Sequence, residues 1–373
     1  MHSLYTNNLG EWSQVCFAFY LLLIFMSYLL PKIKKTVVIH LKKNDYKIQL
    51  GLLLTEIMLI FVKGFCACGT DLVSGYYYDF LSANSFSSFR DKTVEKGFVL
   101  LNVFIKHIYD QYWFFILIVA IISIVPIFRF IRKYNDRIDP SVALVLYTSI
   151  YFFPTFSLMR IGLAAAISVL SFEALIEGKN KKAIFWIFIA CTIHTTAILL
   201  LTIVIVYNIK RINKKAIAVL ALLLFGVLYI NKNSLSVLLV NRYSIYSLAS
   251  DGIGLEQLIY LTPILILFLI SRKLFTKEDR MLKANFSYIV VAFFSGMTTY
   301  LLPALGRIYL LFIPLIFGIS YCSHRVNSTS TKKYSFLNLC IVIYAVFRFY
   351  IYITQYYNAD GIMPYINLFG WRV

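Results

Sequence analysis

Long apolar runs recur along the whole chain, and they constrain its fold more than any other feature. A helix needs about 20 mostly apolar residues to cross the hydrocarbon core of a bilayer. Runs close to that length follow one another here, which predicts a polytopic membrane protein of about 11–12 helices. The runs lie at 13–30, 48–63, 112–128, 141–158, 161–177, 183–208, 216–230, 255–271, 284–302, 308–322 and 336–353.

The composition leaves little material for a large water-exposed domain. Charged residues make up 14% of the chain and hydrophobic residues 60%, whereas a soluble domain has about 25% charged residues. We therefore predict an all-α fold in which residues 1–373 form a single integral membrane domain. No Lys or Arg precedes the first run and no small-residue cleavage site follows it, so we expect a first span and not a cleaved signal peptide.

The net charge of +19 reflects topology rather than nucleic-acid binding. Short cytoplasmic loops collect Lys and Arg, and most of the basic residues fall in short connections between the apolar runs. No motif of nucleic-acid-binding proteins is present, so we expect anionic membrane lipids, and no nucleic acid, beside this charge. The basic connections are 31–47, 129–137, 179–182, 210–215, 272–283 and 325–333.

The run 183–208 is flanked by two of these basic connections, which a single span would place on opposite sides of the membrane. A hairpin of two short helices, broken near "TIHTT", puts both connections in the cytoplasm. The alternative is one tilted helix with His194 in its middle. We favour the hairpin, which brings His194 to the outer end of a broken helix pair.

With this hairpin, both termini and the longest polar segment lie on the extracytoplasmic face. That segment, 64–111, is predicted to form a loop subdomain within the membrane domain. The corner "LLPALGR" and the aromatic, nearly uncharged tail 354–373 share this face, and we expect the tail to pack against it.

Three arginines outside the cytoplasmic connections are candidate binding residues: Arg160, Arg242 and Arg307. A charge at the bilayer centre costs at least about 2.5–3.5 kcal/mol, and guanidinium groups bind phosphate oxygens through paired donors. The alternative for each is snorkelling towards the headgroups. For Arg160, the small residues that follow in "IGLAAAISV" favour a face turned towards protein.

Further candidate groups lie at the hairpin break and in segment 64–111. His194 is either a base or a packing residue, and Asp71 and Glu95 are carboxylates suited to accepting a proton or holding sugar hydroxyls. Segment 64–111 also supplies a cation and aromatic faces for sugar stacking, namely Arg90, Tyr76, Tyr77 and Tyr78. The alternative interpretation of this segment is an exposed amphipathic loop. Four other charged residues are interpreted as snorkelling, paired or near the cytoplasm: Glu56, Lys63, Glu173 and Arg348.

The six cysteines do not form a paired CxxC array, so we expect no structural zinc site and no metal-ligand set. Cys66 and Cys68 would react only if they were exposed to an oxidising compartment. We interpret them as small residues at a helix end.

Taken together, five segments in order resemble the EpsG-like, O-antigen-polymerase (Wzy) type of membrane protein. They span residues 69 to 367, and no single segment is diagnostic. One departure is Ile161, where many relatives carry Gln after the arginine. The segments are "GTDLVSGYYYDF" with "VEKGFVLLN", "SLMRIGLAAAISV", "KKAIFWIFIACTIHTTAILLL", "NRYSIYSL", and "GRIYLLFIPLIF" with "IMPYIN".

The resemblance implies a GT-C-like glycosyltransferase in the bacterial inner membrane, with its active site facing the periplasm. Such proteins transfer a growing glycan from undecaprenyl pyrophosphate to a sugar hydroxyl of another lipid-linked repeat unit. Arg160, Arg242 and Arg307 would neutralise the pyrophosphate, and His194 or Asp71 would take the acceptor proton. No cofactor is implied, and a chain-length-determining membrane protein is an expected partner.

Two other classes compete with this interpretation. A lipid-linked oligosaccharide flippase also needs many spans and a cationic cavity, but its site must open to both faces and internal repeats are common. The sequence shows neither a repeat nor intramembrane charges on its cytoplasmic half. A polytopic O-acyltransferase would need a histidine deep in the membrane. The depth of the arginines and of His194 separates these classes.

Overall fold

The computed structural model describes residues 10–41, 44–89, 94–209, 253–271, 279–301, 303–329 and 334–373, and helices dominate throughout. The predicted all-α polytopic fold is confirmed. The helices are α1 (Gln14–Leu29), α2 (Leu50–Gly64), α3 (Tyr77–Ser82), α4 (Lys96–Ile108), α5 (Tyr112–Lys133), α6 (Pro140–Leu146), α7 (Met159–Ile176), α8 (Asn180–Ile193), α9 (Leu200–Asn208), α10 (Ile253–Ser271), α11 (Arg280–Leu301), α12 (Leu315–Thr329) and α13 (Tyr334–Tyr356).

Short π and 3-10 segments interrupt several of the apolar runs. The run 141–158 begins as α6, where the Asp139 side chain accepts hydrogen bonds from the first free backbone N–H groups. It then continues as a π segment, Tyr147–Phe152, and a 3-10 turn, Phe153–Phe156. Irregular backbone of this kind often occurs at functional sites. Comparable segments are Leu72–Tyr76, Thr195–Leu199 and Pro303–Phe312.

Four helical stretches of the described chain are long and apolar enough to cross a bilayer, or five if one pair bent by 49° is a single span. The other apolar runs form shorter or interrupted helices, so length and composition do not reproduce the predicted total of 11–12 spans. The run 216–230 lies outside the described residues. The stretches are Gln14–Lys32, Tyr112–Lys133, Met159–Ile176, Phe336–Tyr356 and the pair Gly306–Phe312 with Leu315–Val326.

The predicted hairpin in the run 183–208 is confirmed. α8 ends at Ile193, His194 is extended (φ −150°, ψ 115°), and a 3-10 turn leads into α9. Asn180, the first residue of α8, donates a hydrogen bond of 2.6 Å to Asn208, the last residue of α9. The two helices therefore return to the same end of the bundle, with the break at the other end.

α7 is the central helix, and it packs against α5 and α8. Of its membrane-length window 83% is buried, which confirms that the small residues after Arg160 face protein. At its carboxyl end, Glu173 receives Arg129 and Lys133 at 3.1 and 2.5 Å. The interpretation of Glu173 as a paired group is therefore confirmed, and Glu56 likewise pairs with Arg132.

The carboxyl-terminal tail packs against the carboxyl-terminal end of α2 and the residues that follow it. The Ala67 N–H donates to the Ile366 carbonyl at 2.7 Å, and the Leu368 N–H donates to the Phe65 carbonyl at 2.9 Å. Tyr365 is buried at 1% exposure and donates its hydroxyl to a carbonyl of α2. The tail is thereby fixed beside residues 65–70, at the start of segment 64–111.

A two-stranded antiparallel hairpin, β1 (Thr36–Leu41) and β2 (Asn44–Gln49), departs from the expected pattern. It occupies the basic connection 31–47, which we interpreted only through its charge. The β-branched run Thr36–Ile39 was the available signal, because such residues favour strands.

Candidate active site

Arg160, the second residue of α7, forms an ion pair with Glu95 in front of α4. The Arg160 Nη1 donates to the Glu95 Oε2 at 2.7 Å, and the Glu95 side chain is 14% exposed. The guanidinium carbon also lies 5.8 Å from the centre of the Tyr76 ring. The charge at the start of this membrane helix is therefore compensated by a carboxylate from segment 64–111.

The hairpin break supplies the other partners of Glu95. The backbone N–H and the hydroxyl of Thr195 donate to Glu95 Oε1 at 3.2 and 3.0 Å. The His194 Nδ1 lies 3.2 Å from the same oxygen, a close contact without hydrogen-bond alignment. Because the helix is interrupted at His194, the Thr195 N–H is free to bind a side chain from another element.

The pKa of Glu95 is set by opposing effects of burial and of its neighbours. Burial alone would raise the pKa of Glu95. The contact with His194 and the charge of Arg160 together lower the pKa by more than burial raises it, and the result is about 2. Glu95 is therefore ionised throughout the physiological pH range. Its low basicity makes it a counter-charge and a hydrogen-bond acceptor rather than a proton acceptor.

Close packing of α4 on α8 brings Glu95 to the hairpin break. A Cβ at Gly97 would lie 2.3 Å from the Thr192 Oγ1 and 2.6 Å from the Thr192 carbonyl oxygen. Only glycine allows the two backbones to approach this closely. This contact lies two residues from Glu95 on one helix and two residues from His194 on the other.

Asp71 follows a tight turn that packs against the residues just before Arg160. The turn that precedes it has Gly69 at φ +114°, where a Cβ would lie 2.6 Å from the Phe156 carbonyl oxygen. The Asp71 N–H donates to the Ser157 Oγ at 3.3 Å. Segment 64–111 therefore contacts the residues just before Arg160 through this turn and contacts Arg160 itself through Glu95.

Arg307 and Asp360 complete this end of the molecule. The Arg307 Nη1 lies 3.9 Å from the Asp71 Oδ2, at the limit of an ion pair. Backbone hydrogen bonds from Gly69 and Thr70 to the tail hold Asp360 beside Asp71. Burial raises the pKa of Asp360, against the lowering effects of a tyrosine hydroxyl and of Arg307.

Arg307 opens onto a cavity of ≈ 230 Å³ between the 3-10 segment Pro303–Phe312 and α13. Arg348, about two turns before the carboxyl end of α13, also lines this cavity. Sequence reasoning treated Arg348 as a snorkelling or paired residue and did not consider Asp360, so both were missed. The remaining lining includes Tyr260, Tyr309, Tyr352, Gln355, Tyr356 and Asp360.

Five of the predicted site residues therefore lie at one end of the bundle: Arg160, His194, Asp71, Glu95 and Arg307. Arg90 and Arg242 lie outside the described residues.

The prediction that Tyr76 offers an open face for sugar stacking is wrong, because the side chain is buried at 6% exposure. Its ring packs against Phe98 and Arg160. Tyr77 packs edge-on against Tyr112 and remains half-exposed.

Metal-ligand and thiol chemistry find no support in the part of the chain that the structure describes. No group of three or more His, Cys, Asp or Glu side chains is arranged there to hold a metal ion. Cys66 and Cys68 are buried, in agreement with their interpretation as small packing residues at a helix end.

A comparison with protein-family models matches most of the chain. The family model described as the EpsG family matches residues 48–367, which is most of the chain. No curated protein and no solved structure matches the chain.

Proposed function

The chain belongs to the EpsG family, and from that premise we propose that it polymerises polysaccharide repeat units carried on undecaprenyl pyrophosphate. The growing glycan is transferred from its lipid pyrophosphate to a sugar hydroxyl of another lipid-linked repeat unit. The site faces the periplasm from the bacterial inner membrane, in a GT-C-like arrangement. A chain-length-determining membrane protein is the partner we propose for control of product size.

The observation that carries this proposal is the convergence of distant residues on Glu95. Arg160 from α7, His194 and Thr195 from the hairpin break, and Glu95 from segment 64–111 meet within hydrogen-bond or ion-pair distance. Asp71 and Arg307 continue this cluster towards the cavity of ≈ 230 Å³. A glycosyl transfer needs a proton acceptor and cations for a phosphate leaving group, and this end of the bundle offers both.

In the proposed reaction, the acceptor hydroxyl oxygen attacks the anomeric carbon of the donor glycan. The bond from that carbon to the pyrophosphate oxygen breaks, and the pyrophosphate leaves with the electron pair. His194 Nε2 takes the hydroxyl proton, while Glu95 holds the Nδ1 side of the ring. Catalytic hydrogen bonds are often poorly aligned before substrate binds, which is consistent with the contact of 3.2 Å between Nδ1 and Glu95.

The arginines have different parts in this proposal. Arg307 has a half-exposed side chain and only a distant carboxylate partner among the described residues, and it binds the pyrophosphate together with Arg242. Arg160 gives one of its five donors to Glu95 and remains 31% exposed. It therefore positions Glu95 and has donors left for a phosphate oxygen. Asp71 orients Arg307 or serves as the alternative proton acceptor.

Replacement of Arg160 tests this function. Arg160→Ala should abolish long polysaccharide and leave single lipid-linked units in the outer leaflet, as measured by glycan electrophoresis and leaflet-specific labelling. Arg160→Lys should retain part of the activity, because an ammonium group lacks the paired donors of a guanidinium.

Accumulation of single units in the inner leaflet would instead support a flippase. Chain lengths fully restored by lysine would mean that a positive charge beside Glu95 is sufficient and that the paired donors of Arg160 do not bind phosphate.

A further inference from the structure

Two adjoining cavities run inwards from the extracytoplasmic end of the bundle. The outer cavity has a volume of ≈ 230 Å³ and the inner one ≈ 40 Å³. They share Ile150, Gly306, Tyr309 and Arg348 in their walls. Arg348 thus stands at the boundary between them.

The two cavities differ in chemistry. Charged groups line the outer one, with Arg307 and Arg348 opposed by the single carboxyl of Asp360. The inner one is walled mainly by aliphatic and aromatic side chains, which include Leu261, Ile264, Ala292, Phe312 and Leu315. Together they form one amphipathic channel, cationic outside and apolar inside.

Arg348 lies within a membrane-length helix without a carboxylate partner in the described part of the chain. It is about two turns, or about 12 Å, from the outer end of α13. Its guanidinium carbon lies 3.7 Å from the centre of the Tyr260 ring, and Nη1 donates to the Tyr344 hydroxyl at 3.3 Å. A cation at such depth is costly, and an anionic ligand in the cavity would compensate it.

We propose that this channel binds the phosphate end of the isoprenoid carrier lipid. The phosphate oxygens occupy the outer cavity between Arg307 and Arg348, and the first carbons of the chain enter the inner cavity. The inference rests on the proposed function, because that function supplies the carrier lipid. It adds Arg348 as a headgroup ligand and assigns the apolar contacts that distinguish the lipid from free pyrophosphate.

Because Arg348 lies between the two cavities, the ligand needs both a phosphate group for the outer cavity and an apolar chain for the inner one. A soluble phosphate would satisfy the two arginines but leave the apolar inner cavity unused. An uncharged lipid would leave Arg348 without a counter-charge among the described residues, since Arg307 already has Asp71 beside it. An isoprenoid pyrophosphate satisfies both the charge and the apolar wall.

Binding measurements on the purified full-length protein test this inference without any polymerisation. Undecaprenyl pyrophosphate is the probe in native mass spectrometry, with inorganic pyrophosphate and phosphatidylglycerol as competitors. Two variants, Arg348→Gln and Arg348→Lys, change the headgroup contact. A third, Ile264→Trp, narrows the inner cavity. Arg372→Gln is the matched control, because Arg372 pairs with Glu11 away from the channel.

We expect Arg348→Gln to weaken lipid binding by about tenfold or more, because a charge-assisted hydrogen bond is lost. Arg348→Lys should be intermediate and Arg372→Gln unchanged. Ile264→Trp should weaken binding of the lipid but leave the weaker binding of inorganic pyrophosphate intact, which also shows that the variant is folded. Phosphatidylglycerol should compete poorly.

Wild-type lipid affinity in Arg348→Gln, or competition by phosphatidylglycerol at equal concentration, would overturn the inference. If the wild-type protein makes no polymer but its lipid binding depends on Arg348, the lipid site stands and the polymerase proposal fails. If the wild-type protein makes polymer but its lipid binding does not depend on Arg348, the polymerase proposal stands and the lipid site fails.

Discussion

Glu95 is the residue on which the site depends, because both of its carboxylate oxygens are engaged by other elements. Arg160 contacts Oε2, and Thr195 and His194 contact Oε1. A neutral amide at this position would keep the size of the side chain but lose the charge that compensates Arg160. It would also present an N–H group to donors that require an acceptor.

Glu95→Gln should therefore lower polymer formation by about a hundredfold, because His194, the proposed proton acceptor, loses the carboxylate that holds its ring, and a positioned general base contributes about that much. The yield of long glycan from membranes at matched protein level measures this. Glu177→Gln is the control, since Glu177 is paired with Lys133 and Lys179 at the opposite end of the bundle. Equal losses in both variants would indicate that only stability had changed.

The low pKa of Glu95 also predicts a dependence of stability on pH. The folded-state pKa of about 2 lies below the ordinary value of 4.5, so ionised Glu95 stabilises the folded protein above pH 4.5. This contribution is about 3 kcal/mol at neutral pH, and it is lost as the pH falls from 4.5 towards 2. Thermal unfolding of wild type and Glu95→Gln should therefore differ at pH 7 and converge at low pH. A constant difference would contradict the assignment.

At the scale of elements, the contact between α4 and α8 determines whether Glu95 reaches the hairpin break. Gly97→Ala places a Cβ against the Thr192 backbone oxygen, which cannot rotate away. Overpacking of this kind costs about 1–3 kcal/mol, and displacement of α4 should reduce polymer formation together with thermal stability.

Gly75→Ala is the matched control for that variant. Gly75 lies in the π segment Leu72–Tyr76 of the same loop region, and no atom lies within 4 Å of a Cβ built there. This substitution should leave both activity and unfolding temperature unchanged. If Gly97→Ala behaved in the same way, the close approach of α4 and α8 would not matter for the site.

The elements also show which features the sequence could predict. The hairpin at His194 followed from the charges of two loops, because their shared preference for one side excludes a single span. The protein-facing side of α7 followed from its small residues. The π segments Leu72–Tyr76 and Tyr147–Phe152 could not be predicted, since tertiary contacts and not local propensity distort the helices there.

At the scale of the whole molecule, Asp360 and Arg348 became site residues only through long-range pairing. Asp360 reaches Asp71 because the tail adds its backbone to residues 66–70. Arg348 resembles any snorkelling arginine in sequence, and its cavity exists only once Pro303–Phe312 packs beside α13. Arg160, in contrast, was recognisable because small residues surround a charge that lipid would not tolerate.

The topology of the whole chain gives the last prediction. If the basic end of the bundle is cytoplasmic, then cysteines at Lys182 and Ile209 should both resist a membrane-impermeant maleimide in intact spheroplasts, whereas one at Asp110 should react. Of the six native thiols, only Cys191 and Cys340 are not buried, so their replacement by serine gives a suitable background. Detergent should make all three new thiols reactive, which controls for burial. Labelling of just one of the pair at 182 and 209 in intact cells would mean a single span, because a hairpin keeps both ends on the same side.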